Sequence, residues 1–423
     1  MQTPNNKAYI ALALATLAFA VNFSVWVLYA VIGIQLKASL QLSATEFGLL
    51  LSAPIFSGAL LRLPFGFLTE RYSPKKLFIL QMLLVIPPLF GLQYAQSLQD
   101  YLWLGLFMGV AGVSFTIGIR YVVDWFSSKH QGTAMGIFGA GNAGAAITLA
   151  LAPLIIEHVG MALIGEVYAI GMLVIVLLFG FLAPETPQYL RKVQHLNWRS
   201  HFEPLKHLNV WRFGLYYYFV FGSYLALTLW LPQYYVSAYH LPIKQAMALT
   251  LLYVASSSLV RAAGGWFADK YGARSVNWWV FWICLMCLFF LSYPPTTMII
   301  KGVNHDVHLN ININVWLFSA LIFIIGIAQG FGRASVYKII YDYYPKHMGS
   351  VGGIVGTIGA LGGCTLPLLF GVVVDFVGVY SACFMLLYGV LAVCMLLMYL
   401  ANQQQRYQQL LQHAIETNFL NRE

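Results

Sequence analysis

Acidic residues are scarce in this 423-residue chain, which carries 14 aspartates and glutamates, and charged residues of both signs amount to 9%. A soluble domain needs roughly a quarter to a third of its surface charged, so a water-exposed globular protein is excluded. The formal charge of +9 is spread too thinly for a nucleic-acid-binding face. Cysteines are few, and Cys284, Cys287, Cys364, Cys383 and Cys394 all lie inside apolar runs. Cys284 and Cys287 form a CxxC with no second ligand pair nearby, which reads as packing rather than metal or redox chemistry. No nucleophile, base and orienting group stand at fixed spacing, so an enzyme is not expected, nor a cofactor. The ten histidines lie near helix ends, in loops or in the tail, and no carboxylate falls clearly mid-span. The start, MQTPNNKAYIALALATLAFA, lacks a small-residue cleavage pattern and reads as a retained spanning helix.

What is present is apolar: 60% of residues are hydrophobic, and the mean hydropathy is +0.73. A polytopic, all-α membrane protein follows. Runs long enough to span fall near 8–36, 45–69, 77–96, 100–126, 132–156, 160–182, 211–237, 246–269, 276–296, 315–343, 350–374 and 379–401. They divide the chain into a six-helix bundle over 1–182, a basic linker over 183–210, a second six-helix bundle over 211–401 and a glutamine-rich tail over 402–423. With a cytoplasmic amino terminus, fifteen lysines and arginines fall on one side. They include Arg71, Lys75, Lys76, Arg191, Lys206, Lys270 and Arg274. The opposite side has Lys37, Lys244 and Lys301 alone. Such a bias puts both termini in the cytoplasm. The other five, Arg62, Arg120, Arg261, Arg333 and Lys338, lie within the spans.

The halves repeat each other. At an offset of 199, SGALLRLPFGFLTERYSPKK (57–76) meets SSSLVRAAGGWFADKYGARS (256–275), which superposes Arg261 on Arg62, Gly265 on Gly66, Asp269 on Glu70, Lys270 on Arg71 and Arg274 on Lys75. Each arginine stands eight residues, or about 12 Å of helix, from the acid–base pair at the helix end. An arginine at that depth is costly unless it faces a polar cavity or a counter-charge. At an offset of 218, Arg120 and Asp124 fall on Lys338 and Asp342, and Glu157 on Asp375. Parallel repeats around a midplane cavity suit alternating access.

The duplicated plan G-x-x-x-[DE]-[RK]-x-x-x-[RK], at Gly66–Lys75 and Gly265–Arg274, resembles the loop motif of the major facilitator superfamily. Asp124–Gly132, Asp342–Gly349 and the PETP stretch from Pro184 to Pro187 resemble other superfamily elements. Within it the chain resembles the nitrate/nitrite porter family. The run Gly136, Gly139, Gly141, Asn142, Gly144 is similar to that family's glycine-asparagine signature in the fifth helix. GGIVGTIGALGG, holding Gly356, Gly359, Gly362 and Gly363, is similar to its match in the eleventh. Arg62 and Arg261 occupy the family's arginine places in the second and eighth helices. The resemblance implies the major facilitator fold and a monomer in the bacterial inner membrane. It also implies an arginine pair gripping nitrate or nitrite, with proton-coupled uptake or exchange. Two departures stand out: Gly359 replaces an asparagine, and Arg120, Arg333 and Lys338 are extra cations.

Guanidinium groups are permanent cations whose fork matches a planar oxyanion. Arg62 and Arg261 therefore read as substrate contacts, against a structural ion pair. Arg333 reads as a cavity cation or ligand, against snorkelling or a structural pair. Arg120 with Asp124, and Lys338 with Asp342, are i,i+4 pairs that brace a gate or draw anions to a vestibule. Glu70, Arg71, Asp269 and Lys270 read as a gate network, made in one state and broken in the other. The small residues allow close helix contact and sliding. Asn142 either donates to an anion or satisfies a backbone carbonyl. Tyr224 and Trp230 are candidate cavity walls, against generic packing, and Asn22, Ser24 and Tyr29 are weaker candidates. The leading reading is a secondary carrier of a small anion, nitrate or nitrite. A proton-coupled carrier of a larger organic anion is the alternative, with a channel or sensor more remote.

Overall fold

The computed structural model describes residues 6–126, 131–185, 203–301, 305–344 and 348–420. Among them are twelve helices long and apolar enough to cross a membrane. The first six are α1 (Asn6–Ser39), α2 (Ala44–Arg71), α3 (Pro74–Tyr94), α4 (Leu98–Val123), α5 (Ala134–Val159) and α6 (Ile164–Leu182). The second six are α7 (Leu208–Tyr239), α8 (Ile243–Tyr271), α9 (Ala273–Leu291), α10 (Val315–Tyr343), α11 (Met348–Val377) and α12 (Ala382–Leu420). Their order and number follow the apolar runs. Two parts do not. The stretch expected as a tail beyond 401 continues α12 to Leu420, because glutamine, leucine and alanine propagate a helix already nucleated in the membrane. Between α9 and α10, β1 (Thr296–Ile300) and β2 (Val307–Ile311) pair as an antiparallel hairpin, its register running from Thr296 opposite Ile311 to Ile300 opposite Val307.

Several helices depart locally from α geometry, and these places fall where side chains converge. Gly109–Val113 in α4 and Ala140–Ala143 in α5 tighten to 3-10 turns, while Tyr218–Ser223 in α7 widens to a π turn. Each break shifts the carbonyl ladder and re-aims nearby side chains.

Consecutive spans end on opposite sides, so the even-numbered α2 and α8 both close at the basic end that carries Arg71, Lys75, Lys270 and Arg274. At the opposite end the bundles meet. Asp375 of α11 accepts from the Ala44 and Thr45 amides at 3.1 and 2.7 Å and from Thr45 Oγ1 at 2.6 Å. Lys244 of α8 donates to Glu157 of α5 at 2.9 Å. Deeper in, a Cβ on Gly48 or Gly371 would collide with the backbone of Pro367 or Ala44, so α2 and α11 pack almost backbone to backbone. Ser52 Oγ donates to the Cys364 carbonyl. Trp230 packs between Phe47 and Phe370, at centroid separations of 5.4 and 5.7 Å. From Ala44 to Arg62 this seam runs about 27 Å. Toward the basic end, Gly136, Gly265 and Gly353 have nothing within 4 Å of where a Cβ would stand. Among the described residues, the hydrogen bonds and ion pairs joining the bundles all lie between the far end and Arg62.

Candidate functional site

Arg62 is buried on α2, with 7% of its surface exposed. Its Nε donates to the Gly112 carbonyl of α4 at 3.1 Å, an acceptor presented by the 3-10 turn, and its Nη1 donates to the Gly356 carbonyl of α11 at 3.4 Å. One guanidinium thus touches both bundles. Its planar faces lie over Trp26 and Phe115, 5.2 and 5.6 Å from the ring centroids, and stacking of this kind is stronger out of water. Carbonyls accept two of five N–H donors. No carboxylate approaches among the described residues.

Arg261 enters from α8. Its Nη1 lies 3.4 Å from where a Cβ on Gly139 would stand, so the guanidinium rests against the first bundle at Gly139. Tyr337 of α10 is within electrostatic reach of both Arg62 and Arg261. Its hydroxyl donates to the Gly352 carbonyl at 3.3 Å, and lies 3.0 Å from where a Cβ on Gly356 would stand. Tyr217 packs edge-on against it at 5.0 Å. The two arginines, one per bundle, are therefore both within reach of Tyr337, in a patch where Trp26 and Phe115 wall Arg62 and Tyr217 packs on Tyr337. Such a patch offers N–H forks to a small flat anion, with aromatic faces that exclude water and strengthen the attraction.

The departure at Gly359 now has a physical reason. A Cβ there would collide with the Tyr217 ring, so the tyrosine of α7 fills the room a longer side chain would take. Asn142, on the tight turn of α5, is buried, and among the described residues no hydrogen bond reaches its amide. Gly141 and Gly144 close on Phe19 and Ala20 of α1, while Gly362 and Gly363 close on Gly222, Tyr218 and Leu225 of α7. These small residues pack α5 and α11 against helices of their own bundles.

Other sequence candidates stand elsewhere. Arg333 is wholly enclosed within the second bundle, its guanidinium carbon 4.0 Å from the Tyr224 ring centroid. Tyr224 is equally enclosed and lines no opening. Trp230 belongs to the far-end seam, 13 residues and about 20 Å of helix from Tyr217. Asn22 bonds Ala18 and Gln81, Ser24 bonds Val21, and Tyr29 bonds Tyr101, so all three are satisfied inside the first bundle.

At the basic end, Arg120 pairs with Asp124 at 2.7 Å. Lys338 reaches Asp342 at 3.4 Å and also Asp269 at 3.3 Å, which ties α10 to the motif on α8. Lys270 lies over Trp266, Arg71 over Tyr72 and Arg274 over Tyr343. The Glu70 side chain lies outside the described residues. Tyr217, Tyr337, Trp26 and Phe115 are the site residues that sequence reasoning did not single out. For Tyr337 alone a signal existed, its i+4 spacing from Arg333.

The Major Facilitator Superfamily profile matches residues 14–304 and 307–420. The chain is 34% identical to the "Probable nitrate/nitrite antiporter NarK1" of Thermus thermophilus, over 92% of this chain and 90% of that protein. It is 31% identical to the "Nitrite extrusion protein" of Bacillus subtilis, over 90% and 91% of the two chains. With the "Probable nitrate transporter NarT" of Staphylococcus haemolyticus it shares 30% identity over 91% and 95%. Among solved structures, a bacterial homologue of the lysosomal transporter Spinster superposes with a TM-score of 0.72 at 14% identity, over 95% of this chain and 98% of that one. The nucleoside transporter NupG superposes with a TM-score of 0.70, also at 14%, over 92% and 99%. Duplicated loop motifs, twelve spans in two bundles and near full-length likeness to these porters agree: the chain belongs to the major facilitator superfamily, in its nitrate/nitrite porter family.

Proposed function

We propose that this chain is a secondary carrier of the bacterial inner membrane that exchanges nitrate and nitrite by alternating access. The observation that carries the reading is the convergence of Arg62 and Arg261, one from each bundle, beside Tyr337. An anion held by both forks links the bundles electrostatically, and its departure leaves like charges facing each other. The relatives' names support nitrate and nitrite as cargo. The extra cations do not enlarge the site. Arg120 and Lys338 are paired with acids, Arg333 is enclosed, and Tyr217 fills the space at Gly359. A small anion is therefore favoured over a large organic one.

Exchange is favoured over proton coupling. The described carboxylates nearest the membrane lie at helix ends, as with Glu46, Asp100, Asp124, Glu157, Asp269, Asp342 and Asp375. Hence, among the described residues, no acid stands beside the arginines to carry a proton, and exchange does not require protons as co-substrate. An unloaded carrier must change state with uncompensated cations in a low-dielectric interior, which is slow. With the basic end in the cytoplasm, as the positive-inside bias places it, the sealed far end makes this an inward-facing state. In that orientation both termini are cytoplasmic, and the monomer is the working unit.

Counterflow tests the reading. Proteoliposomes loaded with nitrite should take up labelled nitrate, and liposomes loaded with chloride, formate or buffer should not. Collapsing the pH gradient should leave uptake unchanged. Uptake that needs a proton gradient would replace exchange with symport, and failure with both oxyanions would overturn the cargo.

A further inference from the structure

Arg333 is a full positive charge with no exposed surface and no carboxylate within ion-pair distance among the described residues. Its Nη2 donates to the Ser257 carbonyl and, at 2.8 Å, to Ser257 Oγ. One face stacks on Tyr224, while Nε and Nη1 have no hydrogen-bond partner. Burying a guanidinium on such terms is costly, and fold alone offers no return for it, since a methionine or leucine would fill the same space.

The contact falls at a telling place. Ser257 lies four residues before Arg261 on α8, so its carbonyl is the acceptor for the Arg261 backbone N–H in a regular helix. Side chains at i and i+4 also share a face. Arg333 therefore grips the turn of α8 from which Arg261 projects. Close packing fixes that turn further. Gly330 of α10 rests on the Ser257 carbonyl, and Gly264 of α8 rests on Phe331, with no room for a Cβ at either. The two guanidinium groups are also within electrostatic reach, so Arg333 repels Arg261. The Arg261 fork itself lies against Gly139 of the first bundle.

We infer that Arg333 is a positioning residue for anion recognition: it docks the Arg261-bearing turn of α8 and, by like-charge repulsion, holds the Arg261 fork toward the first bundle, where the anion binds. It contacts the helix rather than the substrate. The inference deepens the exchange reading and rests on Arg261 being a substrate contact.

The test is nitrate counterflow at varied external nitrate, with rates expressed per folded, monodisperse transporter. Arg333→Gln keeps an amide that can reach Ser257 but removes the charge. KM should rise about tenfold, with the maximal rate within about twofold of wild type, since uniform binding is what is lost. Arg333→Lys keeps the charge and should hold KM within about threefold. Ser257→Ala removes the Oγ acceptor and should raise KM about threefold. A structural role alone would lower the folded yield or the maximal rate and leave KM untouched. A folded Arg333→Gln with wild-type KM overturns the inference. Should Arg333→Gln not fold, an unchanged KM in Ser257→Ala overturns it. Wild-type counterflow reports separately on the exchange reading: without it that reading fails, whatever the variants do.

Discussion

At the scale of single residues, what distinguishes the site is how few groups compete with a bound anion. Arg62 rests on two carbonyls rather than a carboxylate, so an oxyanion has no ion pair to displace. Tyr337 lies within electrostatic reach of both arginines, and its hydroxyl is a candidate to steady the cargo. Tyr337→Phe should raise KM for nitrate about three- to tenfold with the fold intact, matching the net loss of one hydrogen bond of about 0.5–1.5 kcal/mol. Initial-rate counterflow measures it. Gly359 gives a packing prediction. Gly359→Asn drives a side chain into the Tyr217 ring and should destabilise the protein by about 1–3 kcal/mol, as overpacking does. In a Tyr217→Ala background the same substitution should cost clearly less, read as a double-mutant cycle in detergent thermal unfolding, and an undiminished cost would refute the account of the missing asparagine. The arginines were legible in the sequence because a cation deep in an apolar run demands an explanation. The tyrosines were not, since 26 of them are scattered through the chain. Counting about 1.5 Å per residue gives depth but not azimuth, so the enclosure of Arg333 within the second bundle stayed hidden.

At the scale of elements, the far-end closure repeats the chain's own duplication. Glu157 and Asp375 end α5 and α11 and match at an offset of 218. Their partners Thr45 and Lys244 open α2 and α8 and match at 199. One latch is a solvent-exposed ion pair, weakened by screening, and the other a carboxylate on a helix N-terminus, a contact of roughly 0.3–1 kcal/mol. Asp375→Asn with Glu157→Gln should therefore shift the balance toward opening at this end by about two- to fivefold. Spin labels at Leu40 and Tyr380 would show it as growth of a longer-distance population. An unchanged distance distribution would mean that the latches do not set the equilibrium. Helix order, the duplication and the basic end were readable from apolar runs and lysine counts. The acid at the end of α11 was visible only as a repeat match, because its partners are two backbone amides and the Thr45 hydroxyl, none of them a charge that marks a pairing in sequence. The hairpin at Thr296–Ile311 was missed for a related reason, since its pairing depends on two short strands meeting across a turn.

At the scale of the molecule, two bundles meet along a seam at one end and enclose permanent cations near the middle. Cargo and conformational change are coupled because neither bundle alone completes the anion site. On the proposed reading a loaded carrier crosses with its charge reduced and an empty one does not, which would yield exchange with no proton-carrying group required among the described residues. Nitrate efflux from loaded proteoliposomes into anion-free buffer should therefore run at least about tenfold slower than into nitrite, and equal rates would show free return of the empty carrier. The central claim is that planar, two-fork recognition by Arg62 and Arg261 drives this cycle, and lysine at either position keeps the charge while removing the fork. The most direct measurement is nitrite-dependent uptake of labelled nitrate by wild type, Arg62→Lys and Arg261→Lys, each reconstituted at equal folded amounts. Exchange in the wild type with a loss of about a hundredfold or more in kcat/KM for both variants is the predicted result. Wild-type kinetics in both lysine variants would contradict it.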